Sequence, residues 1–304
     1  MQGLVTTATS RAVEILRRGG VVAVPTETVY GLAALALDQS AVERVYAVKG
    51  RPKDHPLIVH LAPSADPTAW GHFDDNALVL AAAFWPGPLT LLVPRTELVP
   101  DWVTGGRESV ALRVPAHPVT IDILEALGEG VVAPSANRFG HVSPTTAAHV
   151  VADLGSSIDL IVDGGPCRVG VESTIVECSS AGLQILRPGA ITSADVEAAT
   201  GTSVGALTGG ARAPGMLASH YAPHAVVELL DTPEDAHARA TEVESQGMSA
   251  RVIWHADPAD YARLLYSELR EADDAGAEIV FAVVPDRHGL GSAVRDRLER
   301  AAAH

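Results

Sequence analysis

The sequence predicts a mixed α/β fold in two parts, and three observations support this prediction. Short apolar runs typical of buried strands are mixed with helical periodicity along the first 200 residues. Residues 201–223 are rich in Gly, Ala and Pro and have little periodicity, as in a linker. After them come three strand-like runs, each followed by a helical stretch, which is the pattern of a small parallel sheet. We therefore expect a large α/β domain over 1–200, a linker over 201–224 and a small α/β domain over 225–304.

The elements of the first domain follow from local patterns. Residues 9–19 should form a helix with Ser10 as its cap, because apolar side chains recur on one face and Gly19-Gly20 ends the run. A second helix is expected over 40–48, and further helical stretches near 76–83, 118–127 and 145–153. Apolar runs predict strands at 21–24, 57–61, 89–93, 110–114, 131–133, 160–162, 174–177 and 183–186, and in the second domain at 226–230, 251–254 and 279–284.

Composition excludes several classes of protein. The chain has 304 residues, 47% hydrophobic and 19% charged, and no apolar run approaches the roughly 20 residues of a membrane span. Its start lacks the layout of a signal peptide, and its two cysteines, Cys167 and Cys178, make no disulfide framework. We expect a cytoplasmic protein. A net charge of −15 argues against strong direct nucleic-acid binding, although it allows a small anion pocket.

A basic cluster is the first candidate for such a pocket. The chain has only two lysines, Lys49 and Lys53, and both flank Arg51 within five residues. Lysine is a compact point charge whereas arginine is a planar fork, so the two differ at an anion site. Either the cluster is a solvated basic turn, or an anion joins its cations, since three like charges so close repel one another. The cluster begins at the C-terminus of the helix expected over 40–48, and in either case Lys49 and Arg51 are expected to be exposed loop cations.

Polar loops that follow apolar strands are the second candidate. Pro25 to Gly31 and Ala133 to Asn137 each come directly after a short buried strand, where α/β sheets place ligands. Ser143-Pro144-Thr145-Thr146 reads as a helix start, which is also an anion site. Arg113 shares a strand face with Ala111, and a cleft and the surface are about equally compatible with that pattern. A Walker A loop, a zinc-ligand spacing and a nucleophile elbow are all missing from the sequence.

Taken together, the motifs resemble the threonylcarbamoyl-AMP synthase family in its two-domain form. The matching segments include PTETVYGL (25–32), KGRPKDHPLIVH (49–60), APSAN (133–137), SPTT (143–146), VESTIV (171–176) and ILRPGAI (185–191), so the resemblance spans nearly the whole chain. It implies a YrdC-like catalytic domain, with a twisted mixed sheet around a basic cavity, and a small Rossmann-like α/β C-terminal domain. It also implies a nucleotidyltransferase that converts L-threonine, bicarbonate and ATP, with Mg²⁺, into threonylcarbamoyl-AMP and pyrophosphate. The product would pass to a transferase complex that modifies adenosine 37 of tRNA.

The resemblance also implies roles for individual residues. Lys49 and Arg51 would be catalytic cations at the triphosphate. The expected L-threonine contacts are Thr28, His60, Arg113 and Ser173. The expected ATP contacts are Arg51, His55, Ser109, Ser135, Asn137, Ser143, Arg187 and Tyr221. No protein ligand is expected for the metal, because Mg²⁺ would be held mainly by ATP phosphates. His55 departs from the family pattern, in which asparagine is more usual.

Two other functions remain open at this point. The first is a carbamoyl-adenylate synthase of the same fold that acts on another amine, since one methyl group in an apolar pocket discriminates by only about 1–3 kcal/mol. The second is an RNA-binding module without catalysis. The acidic net charge argues against RNA binding, and so does the 4% aromatic content, which leaves few side chains for base stacking.

Overall fold

The computed structural model describes residues 4–206 and 221–303, which form two α/β units. Within the described residues the first unit contains a mixed sheet in the order β1-β8-β2-β3-β7-β4-β6-β5-β9-β10-β11. Its strands are β1 (Val5–Thr6), β2 (Val22–Val24), β3 (Gly31–Leu35), β4 (Ile58–His60), β5 (Leu89–Pro94), β6 (Ser109–Arg113), β7 (Val131–Val132), β8 (Leu160–Val162), β9 (Thr174–Ser179), β10 (Gly182–Arg187) and β11 (Val204–Gly205).

Helices cover both faces of this sheet. They are α1 (Thr9–Arg17), α2 (Gln39–Lys49), α3 (Asp75–Phe84), α4 (Asp101–Thr104), α5 (Pro118–Leu127), α6 (Ala147–Asp153) and α7 (Ser193–Thr200), with short 3₁₀ turns at Pro67–Ala69 and Gly155–Ser157. The apolar faces of α1 and α5 share one buried cluster with β2, β3 and β8. Residues of α2, α3 and α6 belong to a second cluster with β4, β5 and β6. The sheet therefore has a core on each side.

The second unit is a small parallel sheet covered by helices. Its strands β12 (Val226–Leu230), β13 (Ala250–Ile253) and β14 (Ile279–Val283) run parallel in the order β12-β14-β13. The helices α8 (Pro233–Ser245), α9 (Pro258–Asp274) and α10 (Leu290–Ala302) alternate with them along the chain. This confirms the mixed α/β class and the three β-α units that the sequence predicts.

The two units share an apolar core. One buried cluster combines Val29, Val142 and Val171 of the first unit with α9 and α10 side chains such as Leu269 and Leu298. Gly170 shows how close the backbones come, because a Cβ added there would lie 2.3 Å from the carbonyl oxygen of Ala262. A contact that short requires a glycine.

Several local expectations were wrong. Helix α1 begins at Thr9 after Ala8, which makes no side-chain capping bond, so Ser10 is not the cap. Helix α6 begins at Ala147, with the Thr146 side chain as its cap, so Pro144 lies outside its opening turn. Strand β3 was missed because Gly-Leu-Ala-Ala-Leu contains no β-branched residue to indicate a strand.

In the predicted linker, Val204–Gly205 pairs with β10 as β11, and 207–220 lie outside the described residues. The proposed domain boundaries therefore stay predictions. No helix among the described residues is long and apolar enough to cross a bilayer.

Candidate active site

A cavity opens where β4, β6 and β10 end and β9 begins. The lining contains eight of the residues that the resemblance selects: Thr28, Arg51, His60, Arg113, Ser135, Ser173, Arg187 and Tyr221. The floor beneath is apolar, because Ile58 and Ala111 share a strand face and pack with Leu92, Ile175 and Leu186.

Strand register brings the first group of polar side chains together. β4 and β6 run parallel with His60 opposite Arg113, so both side chains project from one face of the sheet. The loop after β2 adds Thr28, whose Oγ1 accepts a hydrogen bond from Arg113 Nη2 at 2.9 Å. Thr26 fixes this loop, since its Oγ1 accepts from the backbone of Thr28 and Val29. We call Thr28, His60 and Arg113 the His60–Arg113 group.

A buried carboxylate orients Arg113. Glu27 Oε1 accepts from Arg113 Nη2 at 2.8 Å, and Glu27 Oε2 accepts from the Ala116 amide at 3.0 Å. Burial alone would raise the pKa of Glu27, but the charge and hydrogen bond of Arg113 outweigh burial and lower it. Arg113 Nε donates to the Gly87 carbonyl. Among the described residues Nη1 makes no hydrogen bond, which leaves it available to an anionic ligand.

His60 is neutral in this site. Burial lowers its pKa to about 3, and the nearby Arg113 charge adds to the effect. Its Nδ1 lies 3.3 Å from the Ile58 carbonyl oxygen. A carbonyl can only accept, so this contact requires a proton on Nδ1 and leaves Nε2 as an acceptor. The imidazole can therefore accept a hydrogen bond from a ligand N–H.

A second group of side chains provides positive charge. A register shift between Ile185 and Arg187 interrupts the side-chain alternation at the end of β10. Arg187 then donates from Nε and Nη2 to the carbonyl and hydroxyl of Ser173, at 3.0 and 2.9 Å. Arg51 lies close enough to Arg187 and Tyr221 for their charges to affect its pKa, which burial lowers to about 10. We call Arg51, Ser173, Arg187 and Tyr221 the Arg51–Arg187 group.

The expectation that Lys49 and Arg51 are exposed loop cations was wrong. Lys49 is the last residue of α2 and is 3% exposed, while Arg51 is 9% exposed. Lys49 Nζ donates to the carbonyls of Ser135 and Asn137 at 2.5 and 2.7 Å, and Arg51 Nη2 donates to the Pro56 carbonyl at 3.0 Å. Burial, with a smaller contribution from Arg51, lowers the pKa of Lys49 well below its usual value. Lys53 remains exposed and pairs with Glu43.

Five expected site residues lie outside the cavity lining: Lys49, His55, Ser109, Asn137 and Ser143. Ser109 begins β6, four residues before Arg113, which is roughly 13 Å along a strand. His55 packs edge-on against Phe139, whose ring also lies 5.7 Å from the Arg51 guanidinium. Asn137 Nδ2 donates to the carbonyls of Arg138 and His141.

One titratable lining residue was missed by the sequence reasoning. Glu172 lines the cavity, and its Oε1 accepts from Ser143 Oγ at 2.6 Å. Glu172 directly precedes Ser173, an expected threonine contact, and this position in the sequence could have indicated a site residue. It was missed because a carboxylate there also fits the ordinary start of a strand. The described residues contain no cluster of three or more His, Cys, Asp or Glu side chains arranged to hold a metal ion.

The fold and the site together define an α/β protein with a cavity that three arginines line: Arg51, Arg113 and Arg187. Two family models match the chain: the Sua5, YciO and YrdC model, described as telomere recombination, over residues 14–189, and the threonylcarbamoyl-AMP synthase C-terminal domain over 191–303. The chain belongs to the threonylcarbamoyl-AMP synthase family, and the predicted resemblance is confirmed.

Similar proteins cover nearly the whole chain. Threonylcarbamoyl-AMP synthase of Pyrococcus abyssi is 39% identical over 317 residues, covering 96% of this chain and 93% of its own length. The Bacillus subtilis enzyme of the same name is 37% identical, covering 96% and 92%. A crystal structure of P. abyssi Sua5 complexed with L-threonine matches with a TM-score of 0.90 and 38% identity, covering 97% of this chain and 94% of that one.

Proposed function

We propose that this protein is an L-threonylcarbamoyladenylate synthase. It forms threonylcarbamoyl-AMP and pyrophosphate from L-threonine, bicarbonate and ATP. The observation that carries this proposal is that one cavity holds both polar groups, the His60–Arg113 group and the Arg51–Arg187 group. A carboxylate binds best to an arginine fork and a triphosphate to several cations, so the two groups suit an amino acid and a nucleotide side by side.

The His60–Arg113 group suits threonine. Arg113 Nη1 can pair with the substrate carboxylate, while Glu27 holds the guanidinium in place. The neutral His60 adds no positive charge that would repel the substrate amine, and its Nε2 can accept an N–H bond from that amine. Thr28 and Ser173 add hydroxyls that can bond the side chain of threonine.

The chemistry requires positioning and charge neutralisation, with no enzyme nucleophile. The threonine amine forms a bond to the carbon of carbon dioxide and loses a proton, which gives a carbamate; when bicarbonate is the donor, its C–OH bond breaks and water leaves with that proton. A carbamate oxygen then forms a bond to the α-phosphorus of ATP as the bond from that phosphorus to the α,β-bridging oxygen breaks and pyrophosphate leaves. Arg51 and Arg187 supply positive charge for the phosphate oxygens, and the shared cavity positions the reacting groups next to each other.

Mg²⁺ fits this site as a companion of ATP. The carboxylate in the cavity lining, Glu172, has both oxygens engaged in hydrogen bonds with protein side chains. Phosphate oxygens and water are therefore the ligands available to the ion, which is the usual arrangement for Mg²⁺ with nucleotides. When bound, the ion neutralises phosphate charge. The product is proposed to pass to a tRNA threonylcarbamoyl transferase complex.

The test is ATP-dependent pyrophosphate release, with bicarbonate and with threonine, serine or glycine in turn. Dependence on both threonine and bicarbonate, with a labile threonylcarbamoyl-adenylate seen by mass spectrometry, supports the proposal. Preference for another amine would instead assign the protein to carbamoylation of that amine. No release with any amine would refute the synthase assignment, and steeply salt-dependent RNA binding in its place would favour the binding module.

A further inference from the structure

Glu172 presents an electrostatic conflict inside the proposed ATP site. It lines the same cavity as Arg51 and Arg187, and it is 6% exposed. Burial alone would raise the pKa of this carboxyl, but the charges of Arg297 and Arg187 lower it to about 2, so it is ionised at neutral pH. A carboxylate repels a nearby triphosphate unless its charge is balanced. The balancing group therefore affects nucleotide binding.

The second unit supplies that balance. Arg297 of α10 donates from Nε to Glu172 Oε2 at 2.9 Å, and its side chain is fully buried. Tyr266 of α9 donates its hydroxyl to the same oxygen at 2.9 Å. Ser143 Oγ donates to the other oxygen, Oε1, so both carboxylate oxygens are engaged. Both second-unit partners lie outside the cavity lining.

The same two side chains also support Tyr221. The rings of Tyr221 and Tyr266 stack with centroids 5.7 Å apart, and the Arg297 guanidinium carbon lies 5.4 Å from the Tyr221 centroid. Tyr221 is 1% exposed and lines the cavity. Its φ of +65° is strained for a residue other than glycine, so the surrounding contacts must hold it there. Two residues of the second unit thus fix two lining residues of the cavity.

We infer that Arg297 and Tyr266 are positioning residues for the ATP half of the site, so that the C-terminal unit completes the nucleotide pocket. Arg297 neutralises Glu172 and supports the Tyr221 ring, and Tyr266 fixes the carboxylate by its hydroxyl and the ring by stacking. This inference rests on the proposed function for the identity of the nucleotide. The threonine half is held by Glu27 and Arg113 within the first unit, so it should not depend on these contacts.

The experiment compares Arg297→Met with a matched control on the same helix, Arg295→Met. Arg295 donates to the Pro285 carbonyl and does not line the cavity. Binding of α,β-methylene-ATP is measured by calorimetry, and KM for ATP and for threonine by pyrophosphate release. We expect Arg297→Met to weaken analogue binding about tenfold or more, because the buried carboxylate loses the larger of its two balancing charges, while KM for threonine stays within about twofold. Arg295→Met should bind the analogue as the wild type does.

Two further variants separate charge from general stability. Glu172→Gln combined with Arg297→Met should regain most of the lost affinity, because the carboxylate that needed neutralising is gone. Tyr266→Phe keeps the ring on Tyr221 and removes one hydrogen bond to Glu172, so analogue binding should weaken by about threefold to tenfold. Tyr266→Phe also tests the inference if Arg297→Met does not fold.

Three results would overturn the inference. The first is an Arg297→Met protein that loses thermal stability but binds the analogue as Arg295→Met does. The second is an equal loss for ATP and threonine, and the third is a double variant no better than the single one. A wild-type protein that binds the analogue but releases no pyrophosphate would contradict the proposed synthase activity alone, because the analogue affinities still decide the role of Arg297.

Discussion

Removing the Glu27 carboxylate should destabilise the first unit strongly. Both members of the Glu27–Arg113 pair are buried, with side-chain exposures of 3% and 5%. Glu27→Ala leaves the Arg113 charge inside the protein with the Thr28 hydroxyl and the Gly87 carbonyl as its remaining hydrogen-bond partners among the described residues. Breaking a buried pair from one side costs about 3–5 kcal/mol. For a unit of this size the cost corresponds to a fall of about 6–20 °C in Tm.

Thermal unfolding followed by circular dichroism measures this effect, with two controls. Glu27→Gln keeps an acceptor for Arg113 and should lose less than half as much as Glu27→Ala. Glu43→Ala breaks the exposed pair that Glu43 (46% exposed) makes with Lys53 (69% exposed), and it should change Tm little because solvent screens this pair. KM for threonine should rise in Glu27→Ala, since Arg113 loses its orienting partner.

The stabilising effect of the Glu27 carboxylate should depend on pH. The folded pKa of Glu27 lies below its usual value of 4.5, so the carboxylate stabilises the fold fully at pH values above 4.5. As pH falls through the lowered folded pKa, that contribution disappears. The Tm difference between wild type and Glu27→Ala should therefore be full at pH 7 and shrink below pH 4.5. A Glu27→Ala protein that unfolds within about 2 °C of wild type at pH 7 would refute the reasoning.

Three other predictions concern single residues. Lys49→Met should reduce turnover and Tm because it removes the donor to two carbonyls, whereas Lys53→Met should change Tm little. Equal effects of the two variants on turnover and on Tm would contradict the burial of Lys49. In chemical unfolding, Gly170→Ala should lower the free energy of unfolding far more than Gly165→Ala. Both glycines have φ near +84°, but of the two only the Cβ at 170 would meet a neighbouring backbone. Similar losses of unfolding free energy would show that the close approach to α9 is absent. Burial raises the pKa of both cysteine thiols to about 12, so they should resist Ellman's reagent in the native protein and react on unfolding. Rapid labelling of the native protein would disprove their burial.

The strands were easier to predict from the sequence than the site. Apolar runs placed β4, β6 and β8 to within a residue or two, because a buried strand must be continuously apolar. Local pattern left Arg113 undecided between cleft and surface, and only the pairing of β6 with β4 resolves it. Lys49 was misjudged because lysine is rarely buried, and the carbonyls that bind it lie 86 and 88 residues away along the chain.

Ion pairs between residues far apart in the sequence were the hardest feature to predict. Glu172 and Arg297 are 125 residues apart, and neither has a local pattern that predicts an ion pair. The assignments of substrate-binding residues came from family motifs, because no spacing within the sequence distinguishes a threonine contact from a capping hydroxyl. The physical pattern indicated where ligands could lie, at strand ends, and the resemblance indicated which ligands to expect.

The pairing of His60 with Arg113 across β4 and β6 has a consequence for how this sequence can change. The two side chains face the same cavity only because their strands are in one register. Deleting any single residue from either strand would turn every following side chain to the opposite face. A deletion scan of β4 and β6 should therefore abolish function even at positions where alanine is tolerated. Evolution of this site is thus restricted to substitution, with insertions and deletions confined to the connecting loops.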